Sequence, residues 1–133
     1  DNPATEYQSW EILVPWVTLT NPYELAPYVV IAAAIARSGA QSNGSLGLGK
    51  ALAKSFGVTN TLLDEDGPAH IRLRRLLAAN DAIEVCRIIR PILRLIESRL
   101  SEPIDYARLL NELRFFNNQT KARWAQDFYQ KSE

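Results

Sequence analysis

The stretch 68–100 constrains the chain more than any other. At about 100° per residue, Val85, Ile88, Ile89, Ile92 and Ile96 fall on one stripe of a helix. Arg87, Arg90 and Arg94 fall on the opposite stripe. Such a helix must bury its apolar back against other elements while its cationic front stays outside. A shorter helix over 68–79 repeats the design: Leu73, Leu76 and Leu77 lie on one side, Arg75 is turned away from them and Arg72 sits at the edge. Two adjacent helices thus carry much of the chain's arginine, and their exposed guanidinium surface is the candidate working part.

The remaining periodicity is also helical. Tyr7, Trp10, Leu13 and Val14 predict a short amphipathic helix over 5–14, stopped or bent at Pro15. Asn21 and Pro22 supply an N-cap and a first-turn proline for a helix that is apolar nearly all round. Pro27 is a candidate kink, and Ser38-Gly39 ends that helix. A Gly-containing turn then enters a helix over 46–55, with Lys50 and Lys54 sharing an exposed face. Asn80 and Asp81 cap the long arginine helix, and Pro91 lies on its flank. Asp105 caps a helix with Tyr106, Leu109, Leu110, Leu113 and Phe116 as its buried stripe. Asn117-Asn118 is read as a turn, and a last helix over 120–130 buries Trp124, Ala125 and Phe128 with Arg123 opposite. No alternating strand pattern competes, so the expected class is all-α, with six to seven helices in bundle-like packing.

Charge is divided unevenly along the chain. Fifteen basic and fifteen acidic residues cancel overall. Residues 1–66 hold three bases against seven acids, and residues 67–133 hold twelve bases against eight acids. A partner feels the field within a Debye length of about 8–10 Å, so this asymmetry matters more than the total. It divides 133 residues into an expected acidic N-terminal lobe, 1–66, and a basic C-terminal lobe, 67–133. With 47% hydrophobic residues the chain can bury a core. No apolar run approaches the roughly 20 residues of a membrane span, and the first residues lack the basic start of a signal peptide. The lone Cys86 forms no internal disulfide and suits a reducing compartment, so a cytoplasmic protein without membrane contact is expected. With no methionine in the sequence, an incomplete start is expected.

Motifs for small ligands fail on inspection. The run from Gly44 to Ala51 nearly matches the phosphate-binding pattern G-x-x-x-x-G-K-[ST], but alanine replaces the magnesium-ligating hydroxyl and no hydrophobic strand precedes the loop. Asp64, Glu65 and Asp66 do not continue into a calcium-loop pattern. His70 has no second histidine and no cysteine nearby, so a surface or capping role is expected rather than metal ligation. No nucleophile with its base, no carboxylate pair in an apolar setting and no metal-ligand spacing is visible, so no catalytic residue, metal or cofactor is expected. Composition leaves two readings of the arginine stripe, an ordinary solvated face or a phosphate-binding one. Interleaved acids are thin, with Glu84 and Glu97 at the margins, and arginine's planar fork suits phosphate.

Four ordered blocks, RLRRLLAA at 72–79, EVCRIIRPILRLI at 84–96, IDYARLL at 104–110 and RWAQDFY at 123–129, resemble the CasB family. That family is the small subunit of the type I-E CRISPR surveillance complex, Cascade. Ser45-Leu46-Gly47 and the basic Lys50 are similar to its middle segment. The resemblance implies an all-helical, two-lobed, non-enzymatic subunit that pairs head to tail with a second copy. It further implies neighbours in the crRNA-bound backbone and the large subunit, and a basic surface that holds the displaced non-target DNA strand, stabilising the R-loop. Carried over by position, Arg72, Arg87, Arg90, Arg94, Lys121 and Arg123 are the candidate nucleic-acid contacts, followed by Lys50 and Arg75. crRNA is a further possible contact of the same face. The competing expectation is an architectural adaptor whose arginines pair with acidic protein surfaces.

Overall fold

The computed structural model describes residues 22–57 and 67–130, so the expected helix over 5–14, the Asn21 cap and the acidic run 64–66 lie outside the described residues. Six helices follow in order among those described: α1 Pro22–Ser38, α2 Leu48–Ser55, α3 Pro68–Leu77, α4 Ala82–Arg99, α5 Tyr106–Arg114 and α6 Asn118–Tyr129. The all-α, bundle-like class is as expected from the periodicity. Helix α1 stops where Gly39 takes a φ of 65° and donates its N–H to the Ile35 carbonyl at 3.2 Å, a left-handed stop that favours glycine. At the starts of α4 and α5 the predicted caps operate, and α6 is capped by Asn117, which the sequence reading placed in a turn. Asp81 accepts from the Glu84 N–H at 2.8 Å, Asp105 from the Arg108 N–H at 3.0 Å and Asn117 from the Thr120 N–H at 3.0 Å.

Several boundaries differ from the sequence expectation for identifiable reasons. Helix α2 begins at Leu48 rather than at 46, because Leu46 is engaged in a parallel bridge with Ile104. The Asp105 N–H donates to the Leu46 carbonyl at 2.9 Å and the Gly44 N–H to the Ile104 carbonyl at 3.1 Å. That bridge brings the loops before α2 and α5 together, and a Cβ at Gly44 would collide with the Pro103 carbonyl. Asn118 opens α6 instead of forming a turn, since Asn117 is the cap. Phe116 lies beyond the end of α5, and Ala125 is only half-buried.

Helix α1 packs on α4 and α5, while α2 makes its most extensive contact with α6 and further contacts with α3 and α4. Buried side chains from both sequence halves share one cluster, including Ile31, Leu52, Leu73, Ile89, Leu93, Leu113, Trp124 and Phe128. The isoleucine stripe of α4 supplies Val85, Ile89, Ile92 and Ile96, with Ile88 at its border. His70 corrects the surface expectation: it is 2% exposed, edge-on to Phe128 at 4.9 Å and beside Tyr129 at 5.5 Å. One turn before Leu73, it lies on the side of α3 that faces α6.

Candidate nucleic-acid interface

Helix α4 turns Arg87, Arg90 and Arg94 to solvent, and none of them makes a hydrogen bond or ion pair among the described residues. The neighbouring carboxylates are engaged elsewhere. Glu97 is held by Arg37 of α1, with Nε to Oε1 at 2.9 Å and Nη2 to Oε2 at 3.3 Å, the two side chains being only 12% and 18% exposed. Half-buried Glu84 accepts the Asn80 N–H at 3.3 Å, and Asp81 is the helix cap. The stripe thus keeps a positive field because the acids nearest to it in sequence satisfy helix ends or an interhelical pair. Beneath Arg87 and Arg90 runs a shallow groove of about 340 Å³ between α1 and α4, floored by Leu25, Val29 and Cys86. Burial pushes the Cys86 thiol up to about 12, against the opposing pull of Arg90, so this sulfur is neutral and unreactive near neutral pH.

The other candidate cations occupy different settings. Arg72 is half-buried, donating to the Pro68 carbonyl at 3.1 Å, with its guanidinium 5.0 Å from the Phe56 ring centroid. Arg99 lies over the same ring at 4.6 Å and donates to the Ser55 carbonyl at 3.3 Å, so two arginines converge on the C-terminus of α2. Lys54 pairs there with Glu102 at 2.8 Å. Lys50 and Lys54 are both half-buried, correcting the expected exposed face, because α2 is pressed between α4 and α6. Arg75 is exposed on α3.

On α6, exposed Arg123 and Arg108 of α5 flank an open recess of about 520 Å³ that also takes in Gln126 and Asp127. Arg108 approaches the buried Glu112 at 3.4 Å, and Glu112 Oε1 accepts the Trp124 indole N–H at 3.0 Å. Lys121 is half-buried, with Nζ 5.5 Å from the Phe116 ring centroid. The sequence-predicted residues therefore form separate groups, the α4 face, Arg72 at the Phe56 clamp and the α6 surface, with Lys50 on α2 and Arg75 on α3 outside all three.

Residues missed by the sequence reading are Arg99, Arg108, Arg114 and Phe115. Three of them are helical arginines outside the long apolar–cationic alternation. Phe115 gave no periodic signal, since it lies just after α5.

Among the described residues no helix is long and apolar enough to cross a membrane, and no group of three potential metal-ligating His, Cys, Asp or Glu side chains occurs. The family model of CRISPR-associated protein Cse2 matches residues 1–129. No curated protein and no solved structure matches the chain.

Proposed function

The chain belongs to the Cse2 family, the small subunit of type I-E Cascade that is also called CasB, and from that membership we propose a non-catalytic role in retaining single-stranded DNA. The observation that supports this reading best is the α4 face. Arg87, Arg90 and Arg94 are exposed, while Arg37 draws Glu97 away from them. Three guanidiniums without acidic partners are suited to neutralise successive phosphates of a single strand. The bound counterions are then released, which makes such binding tolerant of sequence and weaker with salt. In the assembled complex the strand is the displaced non-target strand of an R-loop, with Arg75 and Arg123 as outlying contacts. Arg72 and Lys50 contribute to the field from half-buried positions rather than as free side chains.

The test is DNA retention by the assembled complex as a function of salt. Each phosphate contact contributes about −0.7 to the log–log slope for a single strand, so Arg87→Ala with Arg90→Ala is expected to flatten it by about 1.4. An unchanged slope with intact assembly overturns the proposal. Failure of assembly with undiminished DNA affinity favours an adaptor whose arginines meet acidic protein surfaces.

A further inference from the structure

Phe115 is the most exposed large hydrophobic residue among those described, at 59%. Its backbone is nevertheless fixed. The Phe115 N–H donates to the Asn111 carbonyl at 3.0 Å, and its own carbonyl accepts the Thr120 hydroxyl at 3.4 Å. Thr120 is in turn fully buried at the first turn of α6. The ring is therefore presented by a rigid corner between two helices. The Arg114 guanidinium lies 4.9 Å from the Phe115 ring centroid and 5.4 Å from that of Tyr28, so it bridges the two aromatic rings. Next to it in the same corner, Lys121 lies over Phe116.

We infer that Phe115 is a stacking platform for an unpaired base of single-stranded nucleic acid, with Arg114 neutralising the adjoining phosphate. The inference rests on the phosphate-binding reading given above and adds a contact to the bases themselves. An exposed aromatic face backed by a guanidinium accepts any nucleobase, because every base has a π-face and the cation favours the nearby phosphate. Hydrophobic exposure alone would fit many partners, but the two cations on the corner's aromatic rings select an anionic, aromatic one. Helix α1 contacts both this corner and the groove below the α4 stripe. Tyr28 of α1 meets Arg114 on one side, and Leu25 and Val29 of the same helix floor the groove below Arg87 and Arg90.

The experiment compares binding of the full chain to oligo-dT and to an abasic strand of equal length, each over a range of salt. The expected result is a preference for oligo-dT that Phe115→Ala reduces by about fivefold, the low end for stacking on a protein ring, with the salt slope retained. Phe115→Trp is expected to preserve the preference and to show indole quenching on oligo-dT but not on the abasic strand. Equal binding of both strands by the unaltered chain overturns the platform while leaving the phosphate reading standing. Salt-independent binding overturns both, whereas no binding of either strand overturns the platform and leaves the phosphate reading to the test in the assembled complex. If Phe115→Ala leaves the preference intact but prevents incorporation into the complex, the ring docks protein and the inference fails.

Discussion

Asp127, on α6, accepts a hydrogen bond from the backbone N–H of Lys50 at 2.8 Å and so caps a helix that is distant in sequence. Gly47, the local N-cap residue of α2, has no side chain to do this. The carboxylate also faces the positive end of the α2 dipole. Asp127→Ala is expected to destabilise the chain by about 1–2 kcal/mol, as for loss of a conventional cap, and to lower Tm by several degrees. Asp127→Asn, which keeps an accepting oxygen, is expected to recover more than half of that loss. Thermal unfolding monitored by circular dichroism checks both, and equal destabilisation by the two variants refutes a capping role.

The same crossing explains Gly49. A Cβ there would run into the Trp124 carbonyl and the Phe128 backbone, so the glycine lets α2 and α6 approach closely. Gly49→Ala is expected to cost about 1–3 kcal/mol through forced separation of the two helices, despite alanine's better helix propensity. Denaturant unfolding measures the loss. A neutral or stabilising result shows that the helices yield at this point.

The contrast between these positions and α4 marks what was legible beforehand. Periodicity identified the isoleucine stripe, the arginine face and the caps Asp81 and Asp105, because each rests on spacing within one helix. Features that depend on which helices meet were not legible. The Gly44–Gly49 run resembled a failed phosphate loop, whereas Gly44 and Gly49 are sites of close backbone approach. Buried His70 and Glu112 had no local signal, since α6 supplies the Phe128 ring against one and the Trp124 indole N–H to the other. The isolation of the arginine stripe depended on Arg37, sixty positions away from its partner Glu97.

Cys86 provides a pH test of the α1–α4 contact. Its thiol is raised from 9.0 to about 12 chiefly by burial, so the folded state holds its proton where the unfolded state begins to lose one. Below pH 9 the group is protonated in both states and adds no pH dependence. Above that value the unfolded chain binds fewer protons, and stability falls until the folded thiol itself titrates near 12, with a limiting slope of about 1.4 kcal/mol per pH unit. Chemical denaturation of the unaltered chain and of Cys86→Ala, compared between pH 8 and 10, is expected to show a steeper decline in the former. Parallel profiles indicate that water reaches the thiol in the folded state.

The Arg37–Glu97 pair carries a prediction that separates stability from binding. Glu97 is three residues beyond Arg94 on α4, a spacing at which side chains meet on a helix surface. Arg37→Ala is expected to cost about 1–3 kcal/mol, because a largely buried carboxylate loses its bidentate partner. It also frees Glu97 to turn toward Arg94, removing about one phosphate contact and lowering the magnitude of the salt slope by about 0.7. Adding Glu97→Gln to Arg37→Ala removes the competing charge, so the slope is expected to return to its original value even though part of the stability loss remains. Salt-dependent binding and denaturant unfolding of the two variants provide the comparison. If Arg37→Ala leaves the slope untouched, the pair serves only to fasten α1 to α4.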